Sequence, residues 1–342
     1  MKKSNRYVYI DILNIVACFF VIILHSTGIY FRPDFSKRWY FAVVLQSVCI
    51  CAVPLFVMIT GATLMDYRKR YTTKEFYKKR ISRVVLPFLI WSVIYAVWNG
   101  SQGGTSITSI QELITKFLNN EILTIFWFFY AIIGIYIALP VLSIFLENAS
   151  KQMAWLYVGI CFFSVGVIPL FSRITGYSLS KFTIPIAGSL IIYVLLGGIL
   201  KHERYSNKKK RLVYLAGLAA SVCMFFGTTY YSKEIGELDT TFITSSSLFS
   251  IVLSTAVFLL VKSISWEDIL APKAVKMIHL IASTSFGVYL IQMIVIFYIK
   301  KLPFVDSGSP FYSTFGALAI YILCVMIVLL LKKIPVLNKI VP

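Results

Sequence analysis

The sequence predicts an all-α integral membrane protein with about ten transmembrane helices and with both termini in the cytoplasm. Apolar residues make up 58% of the 342 positions, and the mean hydropathy is +0.81. Only 14% of the residues are charged, whereas soluble proteins keep about a quarter of their residues charged. Apolar runs near the ~20 residues that cross a bilayer recur along the whole chain. Together these observations exclude an ordinary soluble fold.

The apolar runs divide the chain into ten candidate spans, most of them bounded by charged or turn residues. They are predicted at residues 7–30, 39–65, 84–99, 122–145, 153–171, 185–200, 212–231, 242–262, 280–299 and 313–331. Lys2, Lys3 and Arg6 give the first span a superficial likeness to a signal peptide. Its length, its Asp11 and His25, and its lack of a small-residue cleavage site predict a retained helix instead. No stretch between spans is long enough for a soluble module, so we expect one membrane domain over residues 1–342.

The distribution of Lys and Arg predicts the orientation. With the amino terminus in the cytoplasm, the cytoplasmic segments hold 24 of the 33 basic residues and the outer segments hold 9. Residues 66–83 contain eight of them, and residues 201–211 contain six. This is the positive-inside bias, and it accounts for the net charge of +19 without nucleic acid as a partner. We expect these loops to contact membrane lipid headgroups.

Neither a metal site nor a disulfide framework is predicted. All six cysteines lie inside apolar runs, where thiols behave as small apolar side chains. The three histidines are too scattered for a metal site. His202 lies in a basic loop and His279 at a predicted helix start, so we expect both to be solvated or interfacial.

Polar residues form a stripe on the first helix. Ionisable side chains are costly in lipid, so each one inside a span is a functional hypothesis. At ~100° per residue, a stripe about 80° wide contains Asp11, Asn14, Cys18, Ile22 and His25. We expect this stripe to face the protein interior.

Asp11 is too far from His25 to orient its ring. Fourteen residues at 1.5 Å each separate them by about 21 Å along the helix. We therefore expect Asp11 to pair with Arg80 or Arg83, while Glu121 lies at a depth that suits a partner of His25. The neutral imidazole of His25 accepts protons near pH 7, but a purely structural histidine gives the same pattern.

Five segments, taken in order, resemble the membrane acyltransferase 3 family. They are IDILNIVACFFVIILHS at 10–26, FVMITGATL at 56–64, FYKKRISRVVLPFLIW at 76–91, WFFYAIIGIYIALPVLSIF at 127–145 and SFGVYLIQ at 285–292. The resemblance implies transfer of an acyl group, commonly acetyl, from cytoplasmic acyl-CoA to a hydroxyl outside the cell. It also implies a bacterial cytoplasmic membrane and a carbohydrate or cell-envelope acceptor.

The resemblance assigns the chemistry to His25, which would either deprotonate the acceptor or carry the acyl group. The donor coenzyme would bind at a basic surface and along the polar stripe, through Arg80, Arg83, Lys79, Asn14 and Asp11. The family usually has an arginine eleven residues before the histidine, where this chain has Asn14.

Four residues are candidates for acceptor binding: Trp127, Tyr289, Gln292 and Glu121. Trp127 is also explained as an interfacial anchor. Gln292 stands where the family often has a histidine, and it shares a helical face with Tyr289. Two rival functions stay open: an exporter or flippase of a glycan or lipid-linked intermediate, and an acyltransferase-like protein without catalysis. The sequence indicates no oligomeric state.

Overall fold

In a computed structural model, the described residues are 7–104, 107–179 and 181–342. They form helices and connecting segments, with no strand. The basic residues Lys2, Lys3 and Arg6 lie outside this part of the chain. The α-helices are α1 Val8–Ser26, α2 Lys37–Cys49, α3 Ala52–Leu64, α4 Thr73–Arg80, α5 Leu86–Ser101, α6 Ile110–Leu118, α7 Trp127–Asn148, α8 Lys151–Phe162, α9 Ile168–Thr175, α10 Ile191–His202, α11 Asn207–Ile235, α12 Leu248–Lys262, α13 Trp266–Ile269, α14 Pro272–Ala282, α15 Ser285–Lys300 and α16 Ala317–Leu331.

Shorter helical turns connect or extend these helices. Turns of 3₁₀-helix occur at Gly28–Phe31, Tyr67–Lys69, Thr124–Phe126 and Leu337–Lys339. Turns of π-helix occur at Ile81–Val85, Phe163–Val167 and Tyr312–Gly316. Each π-turn is continuous with an α-helix, so it widens a span without ending it.

The chain is a multi-pass membrane protein. Within the described residues, seven helical segments are long and apolar enough to cross a membrane, and the bent pair α14–α15 is an eighth if it counts as one span. The remaining two predicted spans correspond to α10 and α12, which have 12 and 15 residues. Each is shorter than the ~20 residues that cross a bilayer. The all-helical membrane fold is thus confirmed, whereas ten crossings and cytoplasmic termini stay predictions.

The third span begins earlier than the sequence indicated. Helical structure runs without a break over Thr73–Ser101, 29 residues, instead of 84–99. Thr72 and Glu75 form a capping box, in which each side chain accepts from the other residue's backbone N–H. Because this box nucleates a helix, the basic segment continues the span as an ordered helix.

The ninth predicted span is broken by a bend of 58° between α14 and α15. At the break, the hydroxyls of Ser283 and Thr284 donate to the carbonyls of Leu280 and Ile281, both at 2.7 Å. In a straight helix these carbonyl oxygens would accept hydrogen bonds from backbone N–H groups. The two hydroxyl groups compete for them, which favours a bend.

The first helix lies at the centre of the bundle. It contacts α2, α3, α12, α14, α15 and α16. Asp11 on this helix is 4% exposed, and Asn14 and His25 are half-buried. The prediction that its polar stripe faces the protein interior is confirmed.

Ion pairs join loops that the predicted topology puts on the same side. At one end they are Lys201–Asp66 at 3.0 Å and Lys151–Glu203 at 2.7 Å; at the other they are Arg38–Asp306 at 2.9 Å and Arg173–Asp239 at 2.6 Å. We call the first end, with residues 66–83 and 201–211, the basic end, and the second the opposite end. Helix α6, in the connection that follows α5, lies at the opposite end and has no buried residue.

Close backbone contact between α3 and α10 depends on glycine. A Cβ at Gly61 would lie 2.1 Å from the Val194 carbonyl oxygen, and one at Gly197 would lie 1.9 Å from that of Met58. Neither backbone can move without separating the helices. Small residues at such crossings let helices in a membrane approach closely, and here they bury the short helix α10.

We expect Gly197→Ala to destabilise the protein by about 1–3 kcal/mol, because the added methyl group overpacks the α3–α10 contact. Thermal unfolding in detergent measures the change. Gly134→Ala on α7 is the matched control, since nothing lies within 4 Å of its added Cβ. It should be neutral or stabilising, and an equal loss in both variants would contradict the prediction.

Candidate functional site

The buried carboxylate Asp11 is bound to a histidine. Its Oδ2 is hydrogen-bonded to Nδ1 of His279. No ion pair joins Asp11 to Arg80 or Arg83 among the described residues, so the expectation of such a pair is wrong. His279 lies in the last turn of α14 instead of at a helix start, and α14 packs directly against α1.

A cavity of about 210 Å³ lies between α1, α3, α7 and the α14–α15 bend. Two of the predicted site residues, Asn14 and Tyr289, line it. Its other polar lining groups are Thr60, Tyr136, Ser283 and Ser285, and its aromatic ones are Phe56, Phe128, Phe129 and Phe286. A mostly apolar cavity with a few hydroxyl and amide groups suits a flexible chain that carries amide groups.

Arg80 stands beside this cavity at its basic end. Its guanidinium lies 5.6 Å from the ring centre of Tyr136, which lines the cavity, and 5.7 Å from that of Phe76. Its Nε is buried and has no hydrogen-bond partner among the described residues. Arg80 thus presents a positive charge with an unused donor next to the cavity.

The other two predicted cations of the basic segment face elsewhere. Arg83 lies inside the π-turn Ile81–Val85 and is exposed. Lys79 packs its ammonium 3.8 Å over the ring centre of Tyr71. The wide π-turn changes the register after Arg80, so Arg80 faces the bundle and Arg83 faces outward. Both remain on the same short segment of the basic end.

His25 lies near the opposite end of α1, about 16 Å beyond Asn14 at 1.5 Å per residue. Its side chain is half-buried and makes no hydrogen bond or ion pair with the described residues. The turn that carries it is fixed by Gln46 of α2, whose Nε2 donates to Thr27 Oγ1 at 2.8 Å and to the Leu24 carbonyl at 3.2 Å. The imidazole is held in place through its neighbours while its own nitrogens stay available.

The polar face of α15 continues from the cavity towards the opposite end. Tyr289 donates its hydroxyl to the Ile125 carbonyl and lines the cavity. Gln292, one turn further, is fully buried; its Nε2 donates to the Tyr289 carbonyl at 3.3 Å, and its Oε1 has no partner among the described residues. Between the cavity and His25, the Cys18 thiol donates to the Ser285 carbonyl at 3.6 Å, so α1 and α15 are in contact there.

Two predicted acceptor contacts lie apart from the cavity. Trp127 is 41% exposed, while the next two residues, Phe128 and Phe129, line the cavity in its place. Glu121 lines a separate cavity of about 440 Å³ at the opposite end, together with Trp98 and Lys116. No ion pair joins Glu121 to His25 in the described part of the chain, so the suggested carboxylate partner of His25 is not found.

Sequence reasoning missed several residues of this site. Tyr136 is one of many aromatic residues in the chain and gives no signal of its own, and Gln46 and Thr27 give none because polar residues near a helix end are ordinary. The sequence shows which residues share one helix, but not which residues of different helices lie together. No group of three or more His, Cys, Asp or Glu side chains is placed to hold a metal ion within the described ranges.

We expect Asp11→Asn and His279→Ala each to destabilise the protein by about 3 kcal/mol, since each variant removes one side of a buried hydrogen-bonded pair. The double variant should lose less than the sum of the two, by at least ~0.5 kcal/mol. Thermal unfolding of the four proteins in detergent measures this coupling. His202→Ala, whose side chain is 62% exposed, is the control, and strict additivity would refute the pair.

In a comparison with known protein families, one family matches nearly the whole chain. The family model for an acyltransferase domain matches residues 7–331, which include every element of the site described above. No curated protein and no solved structure was found to match the chain.

Proposed function

We propose that this chain, which belongs to the membrane acyltransferase 3 family, transfers an acetyl or other acyl group from cytoplasmic acyl-CoA to a hydroxyl across the membrane. The main observation that supports this proposal is that one central helix, α1, brings Asn14 to the cavity and His25 to the opposite end. Donor and acceptor can then meet at one imidazole while each remains on its own side.

The basic end suits the nucleotide part of the donor. Its phosphates carry several negative charges, and guanidinium groups bind phosphate oxygens in a bidentate manner. Arg80 offers a buried donor beside the cavity, and Arg83 and Lys79 add positive charge at the surface. Asp11 is held by His279, so we assign it to positioning α1 against α14 instead of to contact with the coenzyme. This arrangement supports a cytoplasmic location for the basic end.

The pantetheine arm suits the cavity. It is a narrow chain with two amide groups, and Asn14, Thr60 and Tyr136 offer hydrogen bonds along an otherwise aromatic wall. The thioester at its end would pass between α1 and α15 towards His25. The asparagine at position 14 supplies amide hydrogen bonds where the family usually has a charge, which suits the uncharged arm better than the phosphates.

At His25 the neutral imidazole takes the proton of the acceptor hydroxyl as the hydroxyl oxygen attacks the thioester carbonyl carbon. The C–O bond forms, the C–S bond breaks, and the thiolate of the coenzyme leaves with the proton from the imidazolium. Free ring nitrogens are required for this step, and His25 has no hydrogen bond to the described residues that would occupy them.

The opposite end suits a carbohydrate or other cell-envelope acceptor. The cavity near Glu121 combines the indole of Trp98 with amide and charged groups, a combination that binds sugar rings and their hydroxyls. Tyr289, Gln292 and Trp127 stay candidate contacts on the path between this end and the donor cavity. The location that follows is the bacterial cytoplasmic membrane, with the acceptor on its outer side.

We expect His25→Ala to abolish transfer of label from [acetyl-¹⁴C]acetyl-CoA to cell-envelope material in membranes from expressing cells. The loss should be about 10²-fold or more, because general acid–base catalysis contributes roughly that much. His202→Ala is the matched control. Retained transfer in a folded, inserted His25→Ala protein would exclude the proposal, and label that stays on the protein would instead identify an acyl-enzyme.

We expect Arg80→Gln to raise KM for acetyl-CoA by about 10-fold, because a charge-assisted hydrogen bond contributes about 1.5–3 kcal/mol. Arg83→Gln should have a smaller effect, since the Arg83 side chain is exposed. Steady-state kinetics of the purified protein measure both. Arg211→Gln, an exposed cation of the same end, controls for general loss of positive charge, and equal effects in all three variants would contradict the assignment.

A further inference from the structure

An unpaired cation lies beside the turn that carries His25. Lys300 is the last residue of α15, and its Nζ is 3.8 Å from the position that a Cβ would take at Gly28. Helix α15 packs against α1, and Gly28 lies three residues beyond His25. The side chain of Lys300 is half-buried and has no hydrogen bond or ion pair to any residue described. The proposed acyl transfer at His25 gives it no role.

The neighbouring lysine behaves in the ordinary way for the end of a membrane helix. Lys301 is exposed, donates to Gln102 Oε1 at 3.1 Å and lies 4.1 Å over the ring centre of Phe297. Lysines in this position usually extend their ammonium groups towards water. Lys300 instead turns towards α1 and loses part of its hydration without gaining an anion. A desolvated and uncompensated charge marks a place where an opposite charge is bound or formed.

We propose that Lys300 stabilises the negative charge that forms on the thioester carbonyl oxygen during transfer at His25, an inference that rests on the proposed function. When the acceptor oxygen bonds to the carbonyl carbon, the electron pair of the C=O π bond moves onto the carbonyl oxygen. It returns as the C–S bond breaks, and the thiolate takes the proton from the His25 imidazolium. An ammonium group beside the reacting centre stabilises the intermediate oxyanion.

The test compares Lys300→Gln, Lys300→Arg and Lys301→Gln in purified full-length protein, with labelled acetyl-CoA as donor. Lys300→Gln should lower kcat by about 10²-fold, the effect of removing one oxyanion-stabilising group. Its KM for acetyl-CoA should change by less than about 3-fold. Lys300→Arg keeps the charge and should retain transfer within about 10-fold. Lys301→Gln should behave as the wild type, and a loss there equal to that of Lys300→Gln would overturn the proposal.

The split between kcat and KM separates this role from a structural one. A distorted site should change both constants, whereas loss of the ammonium should lower kcat and leave KM for acetyl-CoA within about 3-fold of the wild type. Lys300→Arg should keep most of kcat, because the guanidinium retains the positive charge.

The outcomes distinguish the two proposals. If the His25→Ala protein still transfers the acyl group, the proposed function itself is wrong. Transfer that is lost in His25→Ala but unchanged in kcat in Lys300→Gln removes only the role of Lys300. Thermal unfolding in detergent confirms that each variant is folded. Should Lys300→Gln fail to fold, the charge-preserving Lys300→Arg decides alone, since an about 10²-fold loss of kcat with the charge retained would overturn the proposal.

Discussion

The arrangement of the whole bundle depends on one constraint: the central helix carries polar groups that lipid does not solvate. An unpaired charge in a low-dielectric interior is strongly unfavourable, so the carboxylate of Asp11 must be bound by another protein group. His279 supplies that group, and it does so from a helix that is bent 58° only a few residues later. The bend in turn brings Ser283 and Ser285 to the cavity and directs α15 along α1 towards His25.

Much of the fold could be predicted from the sequence, because the physics of membrane insertion acts on local composition. Apolar runs and their charged boundaries give the helices, and the spacing of Asp11, Asn14 and His25 gives the inward face of α1. The departures have local causes. The capping box at Thr72 lengthens one span, and hydroxyls at Ser283 and Thr284 break another. Both are short-range hydrogen-bonding effects that an average over hydropathy does not register.

The site was less predictable, because its parts come together through packing between distant helices. Resemblance to a family gave His25 and the arginines, and the structure places Arg80 next to the cavity lined by Asn14 and Tyr289. The pairing of Asp11 could not be derived, since the sequence offered Arg80 and Arg83 as partners and only the tertiary contact between α1 and α14 selects His279. Lys300 and Lys301 are adjacent and identical in type, so no sequence argument separates the one that turns towards Gly28 from the one that faces water.

The cavity ends near Asn14, and the next turns of α1 are closed by tight packing around Ala17, Cys18 and Ile22. These buried side chains separate the cavity from His25 in the described part of the bundle. A packed apolar layer of this kind also hinders protons and ions from crossing the membrane through the protein. The turns between Asn14 and His25 therefore act as a seal, and a substrate arm that reaches His25 from the cavity must part the contact between Cys18 and Ser285.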